Sequence, residues 1–554
     1  RKDIVSANLP VERSAECFDL ADVAKKRQTH CLGYTQMFFI LGNAIGLGVR
    51  GIQVEEHWAG PMPTNAAHVA CLVERRDGKA LQVDLTLPKA LSDDFSFDEA
   101  YAKEGEGWKI KDRDNTLQLH PKIVLLDRDG LAAMIYTTRA GVLHDAHKLV
   151  ESLAANDKAV ELNPRCGLVY WNRALCRADA DQVAGALADF QKAVERMPRH
   201  PAVYSSRAGF YLRTGYPADA IADCTKAVEL DPQMADAYET RAMAYATISQ
   251  FDSAIADFTK AIAIKPQNAF FYTNRAAAYG SMGKQAEAIA DCSMAIERDP
   301  GSVRAYHIRA AAYADLSKID EALADYTKVI AMDPKNTNAY MVRGGLYGKL
   351  GKQPEAIADF SKAIELEPKA GVLYCLRGIM RKQAGSTTEA MADLNTAAEL
   401  SPQLVDVYSN RGDLFKKLKK NEEAIADYNK AIELNPKDDA TYCSRGDLYA
   451  QSGRFTEAIA DFTKAIELDP MQASFYFNRG MANLSAGRHA EALPDLTKAI
   501  ELRADFASAY ALRGTANAAL GKSDDAKKDF QKAIELDPGL TDEIKDMASR
   551  YGLT

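Results

Sequence analysis

Small and large apolar positions return along most of this chain with a period of 34 residues. One turn of the pattern reads Tyr442-x-x-Arg445-Gly446, then Ala458-x-x-Asp461-Phe462-x-x-Ala465-x4-Pro470. The tyrosine recurs from Tyr136 to Tyr510, the arginine from Arg139 to Arg513, and the proline from Pro164 to Pro538, with Ala504 standing in once. Each period has room for two helices. The first starts just before the tyrosine and spans about 14 residues; the second runs from near the first alanine to the proline. Glycine or alanine after each arginine, and the two alanines of the second helix, fall where the helices must approach closely. A fixed period of this length marks a helical repeat array, in which each unit buries its apolar face against its neighbours.

The first 130 or so residues do not follow the period. A helix is expected over residues 15–26, and a second over 31–44 with Thr29 as its N-cap and Gly46 just past its end. Tyr34, Phe38, Leu41 and Ile45 recur at helical spacing, and Met37, Phe39 and Ile40 make the helix apolar on most sides. Strands are then expected over 49–54, 68–73 and 81–84. The last two are joined at Arg76-Asp77-Gly78, a hairpin signal. A buried helix beside such strands predicts an α+β domain over residues 1–130.

That domain carries a thiol, an imidazole and a carboxylate. Cys31 falls in the first turn of its helix, where unpaired N–H groups and the dipole favour thiolate. His68 is the candidate base and Asp84 the candidate group to orient it. Hairpin register decides whether these two meet. A two-residue turn pairs residues whose numbers sum to 155 and sets His68 and Asp84 on opposite faces. A three-residue loop gives a sum of 154 and makes them diagonal neighbours on one face.

The order Cys31-Leu32-Gly33-Tyr34, then His68 in His68-Val69-Ala70-Cys71, then Val83-Asp84-Leu85 resembles the transglutaminase-like superfamily of cysteine enzymes. The resemblance implies Cys31 as nucleophile, His68 as general base and acid, and Asp84 as orienter, in acyl transfer on a polypeptide. The family's usual glycine before the cysteine is Thr29 here, and its usual tryptophan after the histidine is Ala70. Gln28 and Tyr34 are the candidate oxyanion donors.

The periodic part resembles the tetratricopeptide repeat, an all-α superhelical solenoid. Twelve repeats fit residues 133–540, and residues 541–554 fit a capping helix. The first repeat is degenerate, with Ala155 and Asn156 where others carry Asp and an apolar or aromatic residue. From the second repeat on, an aspartate follows each arginine by sixteen residues, which predicts a ladder of ion pairs. As exposed rungs these would contribute no more than about 1 kcal/mol each. The resemblance implies that first helices line a concave surface holding a protein or peptide. That assigns contact positions to Trp171, Glu239, His307, Met341, Ser409 and Phe477. Farther along the same helices come Arg213, Lys349, Asp413 and Asp447. Lys382, Lys416, Lys417, Lys419 and Lys420 form the sharpest basic group, either a site for an acidic peptide or a solvated charged face. The lysine and asparagine set with which some relatives grip a terminal carboxylate is replaced by Ser205, Gly209, Thr273 and Ala277.

Composition narrows the classes further. With 47% hydrophobic and 26% charged residues and a net charge of −8, the chain has neither a disordered composition nor the basic excess of a nucleic-acid binder. The nine cysteines form no CxxC pair, which fits free thiols in a reducing compartment. No apolar run suits membrane insertion. The chain begins at Arg1, leaving room for a removed targeting segment; the compartment stays open, with the cytoplasm favoured. His144 and His147 lack a nearby third ligand, and no metal or cofactor is expected. Two functions remain. One is a cysteine-dependent protease, amidase, deamidase or cross-linking enzyme served by a protein-binding solenoid; the other is a scaffold without activity. Self-association is compatible with both.

Overall fold

The computed structural model describes residues 48–56, 68–74, 80–83, 101–104, 107–110, 122–126 and 128–553. The chain divides into two compact bodies, Arg1–Gly283 and Lys284–Thr554.

In the first body, six strands precede the helices: β1 (Gly48–Glu56), β2 (His68–Glu74), β3 (Ala80–Val83), β4 (Tyr101–Glu104), β5 (Gly107–Ile110) and β6 (Lys122–Leu126). They form one antiparallel sheet in the order β3-β2-β1-β6-β5-β4. The first three match expectation. The other three were not anticipated: Tyr101–Glu104 and Gly107–Ile110 carry only two hydrophobic residues each, and Lys122–Leu126 is a continuous apolar run after its lysine and shows no period of two. Cys71 pairs with Val83, Leu72 with Gln82, Val73 with Leu81 and Glu74 with Ala80, so the numbers sum to 154. This is the register of the three-residue loop. The two expected helices, over 15–26 and 31–44, lie outside the described residues.

The helices of the first body are Arg128–Asp145, Leu149–Leu162, Gly167–Asp179, Val183–Arg196, Pro201–Arg213, Pro217–Leu230, Ala235–Thr247, Phe251–Ile264 and Ala269–Ser281. The second body opens with Gln285–Arg298. Pairs then follow: Val303–Asp315 with Ile319–Met332, Thr337–Lys349 with Gln353–Leu366, Gly371–Gln383 with Thr387–Leu400, and Val405–Lys417 with Asn421–Leu434. The last pairs are Asp439–Gln451 with Phe455–Leu468, Ala473–Ser485 with His489–Leu502, and Ala507–Ala519 with Ser523–Leu536, followed by Thr541–Arg550.

Each first helix ends two residues before a left-handed position that recurs with the period. Gly453 has φ 74°, and Lys419, one repeat earlier, is forced to φ 58°. This turn reverses the chain so that the second helix packs back on the first. Ala458 and Ala465 are fully buried there, and Phe462 fills the space between them. A Cβ at Gly446 would lie 2.9 Å from the Phe462 ring, so in this repeat the ring sits closer than a side chain there would allow. Alanine fills the same place against Phe190 (Ala174), Phe258 (Ala242) and Cys224 (Ala208), so the repeats settle the spacing with either small residue.

The arginine joins three elements. Arg343 directs Nε and Nη2 to the two carboxylate oxygens of Asp359 at 2.8 and 2.7 Å, within its own repeat. Its Nη1 reaches back sixteen residues to Thr327 Oγ1, 3.0 Å away on the preceding second helix. The guanidinium also lies 5.9 Å from the centre of the Tyr340 ring. The same clamp recurs at Arg207 with Asp223 and Gln191, and at Arg479 with Asp495 and Thr463. Several of the recurring tyrosines donate their hydroxyl to the preceding proline carbonyl, as Tyr408 does to Pro402 at 3.1 Å. The rungs are not exposed as expected: the Asp359 side chain is 8% accessible and that of Arg343 15%.

Both ends of the ladder are altered. In the first repeat Arg139 is exposed, while Ala155 and Asn156 are buried. At the other end, Thr541–Arg550 continues the period with Ile544 in the tyrosine place and Met547 in the arginine place. Ile544 is 2% exposed and closes the core of the last pair. Gln531 donates to Glu535 as Gln191 does to Glu195, but the arginine that reaches Gln191 has no counterpart here.

Candidate functional site

Because tyrosine, arginine, aspartate and the alanines are engaged in holding repeats together, variation falls on the exposed sides of the first helices. Successive first helices lie side by side, as contacts between residues 31 apart show. His307 Nε2 lies 3.4 Å from Asn338 Nδ2, and Lys382 Nζ lies 2.9 Å from Asp413 Oδ2. In the second body these contacts extend into a polar chain. Lys382 also donates to Asn410 Oδ1 at 2.7 Å, and the buried Tyr428 hydroxyl donates to Asp413 Oδ1 at 2.8 Å. Lys416 lies 3.6 Å from Asp447 Oδ2, whose other oxygen accepts from Asn478 Nδ2 at 3.0 Å. Asn478 Nδ2 also lies 3.5 Å from Cys443 Sγ.

Burial sets the electrostatics of this face. It raises the Asp447 carboxyl above its ordinary range, and Lys416 offsets only part of that. Burial, followed by the negative charge of Asp413, raises the Tyr428 phenol. The Cys443 thiol is pushed up to about 11 by burial and then by Asp447. Burial lowers the His307 imidazole and raises the Glu239 carboxyl. A small cavity of about 170 Å³, lined by Asp447, Gln451, Phe455, Met481 and Ser485 among others, lies at the end of the polar chain.

The expected contact residues divide three ways. His307, Met341, Ser409 and Phe477 are half-buried on first helices. His307 meets the Tyr326 ring edge-on at 5.5 Å, and Phe477 packs on Phe506 at 4.6 Å. Trp171 is only 4% exposed, set edge-on to His200 at 5.3 Å within the core of its repeat, so it offers little contact area. The lysine group is not a uniform positive patch. Lys382 and Lys416 are neutralised by Asp413 and Asp447, each from the next repeat, while Lys417, Lys419 and Lys420 stay exposed.

Of the candidate acyl-transfer residues, His68 opens β2 opposite Val54 of β1. Gln28, Cys31, Tyr34 and Asp84 lie outside the described residues. Among the described residues no group of His, Cys, Asp or Glu could hold a metal ion. His144 instead bonds Asp179 at 2.7 Å. Among the described residues, too, no helix is long and apolar enough to cross a membrane. What sequence reasoning missed was the third partner of each arginine. Its signal was present: two residues after every ladder aspartate stands Gln, Thr, Ser or Asn, as in Gln191, Thr225, Ser293 and Asn395.

Tetratricopeptide repeat models match residues 177–235, 210–269, 309–371 and 443–505. Further models of the same repeat match 258–290, 412–453 and 507–540. Together they reach more than half of the chain, which therefore belongs to the tetratricopeptide repeat proteins; its helices form an all-helical repeat solenoid. Similar solved structures include YrrB, described as a tetratricopeptide repeat protein with an unusual peptide-binding site. It is 26% identical over 33% of this chain and 95% of its own, with a TM-score of 0.30. A repeat protein from Parabacteroides merdae is 23% identical over 45% of this chain and 99% of its own, TM-score 0.37. Yeast Tom70 is 18% identical over 74% of this chain and 99% of its own, TM-score 0.34. No curated protein matches the chain.

Proposed function

We propose that this protein is a scaffold that holds a polypeptide partner on the concave face lined by its first helices. The observation that carries this reading is the division of labour within each repeat. The recurring residues are consumed by the Arg343-type clamp, and the varied first-helix residues are half-buried with their polar groups already oriented, as in Lys382–Asp413 and Asn478–Asp447. Preorganised groups of this kind lose little entropy on binding. Panning a random peptide library on the full chain tests it. Enriched peptides should lose affinity on substitution of the first-helix face, at Asn478→Ala or at Leu376→Asp, and keep it on Lys226→Ala, which alters a second helix. Failure to enrich any peptide sinks the reading.

In this proposal residues 1–130 form a transglutaminase-like domain, residues 133–540 form about twelve repeats, and residues 541–554 form the cap. A second reading gives the domain cysteine-dependent acyl transfer. Cys31 would attack an acyl carbon of the bound polypeptide, with His68 taking its proton and Asp84 holding the imidazole. The thioester would pass to water or to an amine. Support comes from the β2–β3 register, whose pairs sum to 154, the value this triad requires. Alkylation of Cys31 at neutral pH should be faster than that of a free thiol and should slow on His68→Ala. Equal rates refute the catalytic role and leave the scaffold reading standing.

A further inference from the structure

One stretch of the first-helix face departs from the rest. In the row occupied by Asn410, Ser444 and Asn478, the three preceding repeats of the same body carry Ile308, Val342 and Leu376. Three residues farther along the same helices come Ala311, Gly345 and Ile379. Ile308, Val342 and Leu376 are half-buried, and Gly345 is exposed. A Cβ built at Gly345 meets nothing within 4 Å, so the floor is open at its centre. His307–Asn338 joins the first two of these helices and Lys382–Asn410 joins the third to the next; a Cβ at Gly348 would lie 2.8 Å from Met380 Sδ, which sets the second against the third. Residues three apart on a helix share a face, so the two rows lie together. The patch is therefore apolar, continuous across three repeats, and bounded by the polar chain that begins at Lys382.

Charge along one border indicates the occupant. Lys349 and Lys417 each stand seven residues after the first row, on Thr337–Lys349 and Val405–Lys417. Seven residues place them about 10 Å farther along the helix. Both are exposed, and neither has a hydrogen bond or ion pair within the described chain. Lys382, between them, is already matched by Asp413. The same place on Val303–Asp315 holds the exposed Asp315, which among the described residues accepts only from Gln285, so the positive border is confined to the Lys349–Lys417 end. A partner on the floor thus meets apolar surface below and uncompensated positive charge beside that end. An extended strand cannot satisfy both, because its side chains alternate between the floor and the opposite, solvent side. A helix can: it presents adjacent stripes 100° apart per residue and is about 10–12 Å wide with its side chains.

We infer that the first-helix face over residues 303–417 docks an acidic amphipathic helix of a partner polypeptide. This rests on the protein-binding reading and specifies its ligand. The apolar stripe of the partner covers Ile308, Val342, Leu376 and Ile379, and carboxylates on its flank meet Lys349 and Lys417.

The test uses the full chain and two labelled amphipathic peptides of about 18 residues, or five helical turns. Both carry the same leucine stripe, one flanked by glutamates and the other by lysines; fluorescence anisotropy reads binding. The acidic peptide should bind, and the basic one should bind roughly tenfold or more weakly. Leu376→Asp should abolish acidic-peptide binding. Lys349→Glu with Lys417→Glu changes only exposed positions, leaves folding unchanged by circular dichroism, and should reverse the preference. Equal binding of the two peptides, or full binding by the charge-reversed variant, overturns the inference. So does absence of binding by either peptide; the broader protein-binding reading fails only if library panning also returns nothing.

Discussion

Replacing Arg445 by methionine measures what a rung of the ladder is worth. Its Nε and Nη2 donate to Asp461 at 2.8 and 2.7 Å, and its Nη1 donates to Asn429. The Asp461 side chain is 8% exposed and that of Arg445 16%. Arg445→Met therefore leaves a buried carboxylate without its cation, which costs about 3–5 kcal/mol, against about 0–1 for a surface pair. Protonation sets a ceiling. Neutralising a carboxyl of ordinary pKa near 3.9 at pH 7 costs about 4 kcal/mol, so the loss cannot exceed that by much. Protonation relieves a stranded carboxylate, so the variant regains stability relative to the wild type as pH falls, and the ceiling drops by about 1.4 kcal/mol per pH unit. Removing both partners, Arg445→Met with Asp461→Leu, avoids the stranded charge and should cost about 0–2 kcal/mol. Urea unfolding, fitted as a one-dimensional array and paired with hydrogen exchange over residues 405–468, reads these values. A single-variant loss below about 1 kcal/mol at pH 7, or a double-variant loss equal to the sum of the singles, would refute the reasoning.

Three further outcomes are expected. Lys419→Gly should stabilise the protein by about 0.5–1 kcal/mol, because Lys419 sits at φ 58°, and Gly453→Lys at φ 74° should destabilise it; urea midpoints of opposite shift check the pair. Burial holds the folded His307 pKa below its ordinary 6.5, so its contribution is fully present above that value and is lost as pH falls toward the folded value. A stability–pH profile should accordingly fall below pH 6.5 in the wild type and flatten there in His307→Gln. The buried Cys224, Cys292 and Cys375 thiols, each pushed up to about 12 by burial, should stay unlabelled by a thiol reagent at pH 8 in the native protein and react once it is unfolded, as mass spectrometry of labelled peptides would show.

The candidate face was only partly legible beforehand. Positions such as His307, Met341 and Phe477 could be singled out because they vary where their repeat neighbours do not. Charge state could not be read the same way. Lys382 and Lys416 stand in a basic group along the chain, yet each meets a carboxylate 31 residues later, on the next first helix. Trp171 is the opposite case: a large aromatic on a first helix suggests a contact, but the surrounding repeat encloses it.

The residues alone determined the 34-residue period, the paired helices and the ladder partners, since each depends on spacing along the chain and spacing is explicit; they narrowed the β2–β3 register to two choices, and strand pairing selected the sum of 154. Tertiary structure decided the rest. It set the aspartate within the same repeat and the third donor on the preceding one, buried the rungs, cancelled two lysines and left Lys349 and Lys417 free. Those outcomes depend on helix packing angles and on summed burial by neighbours. Neither quantity is local, so a repeating pattern can name the partners without fixing their depth in the protein or their residual charge.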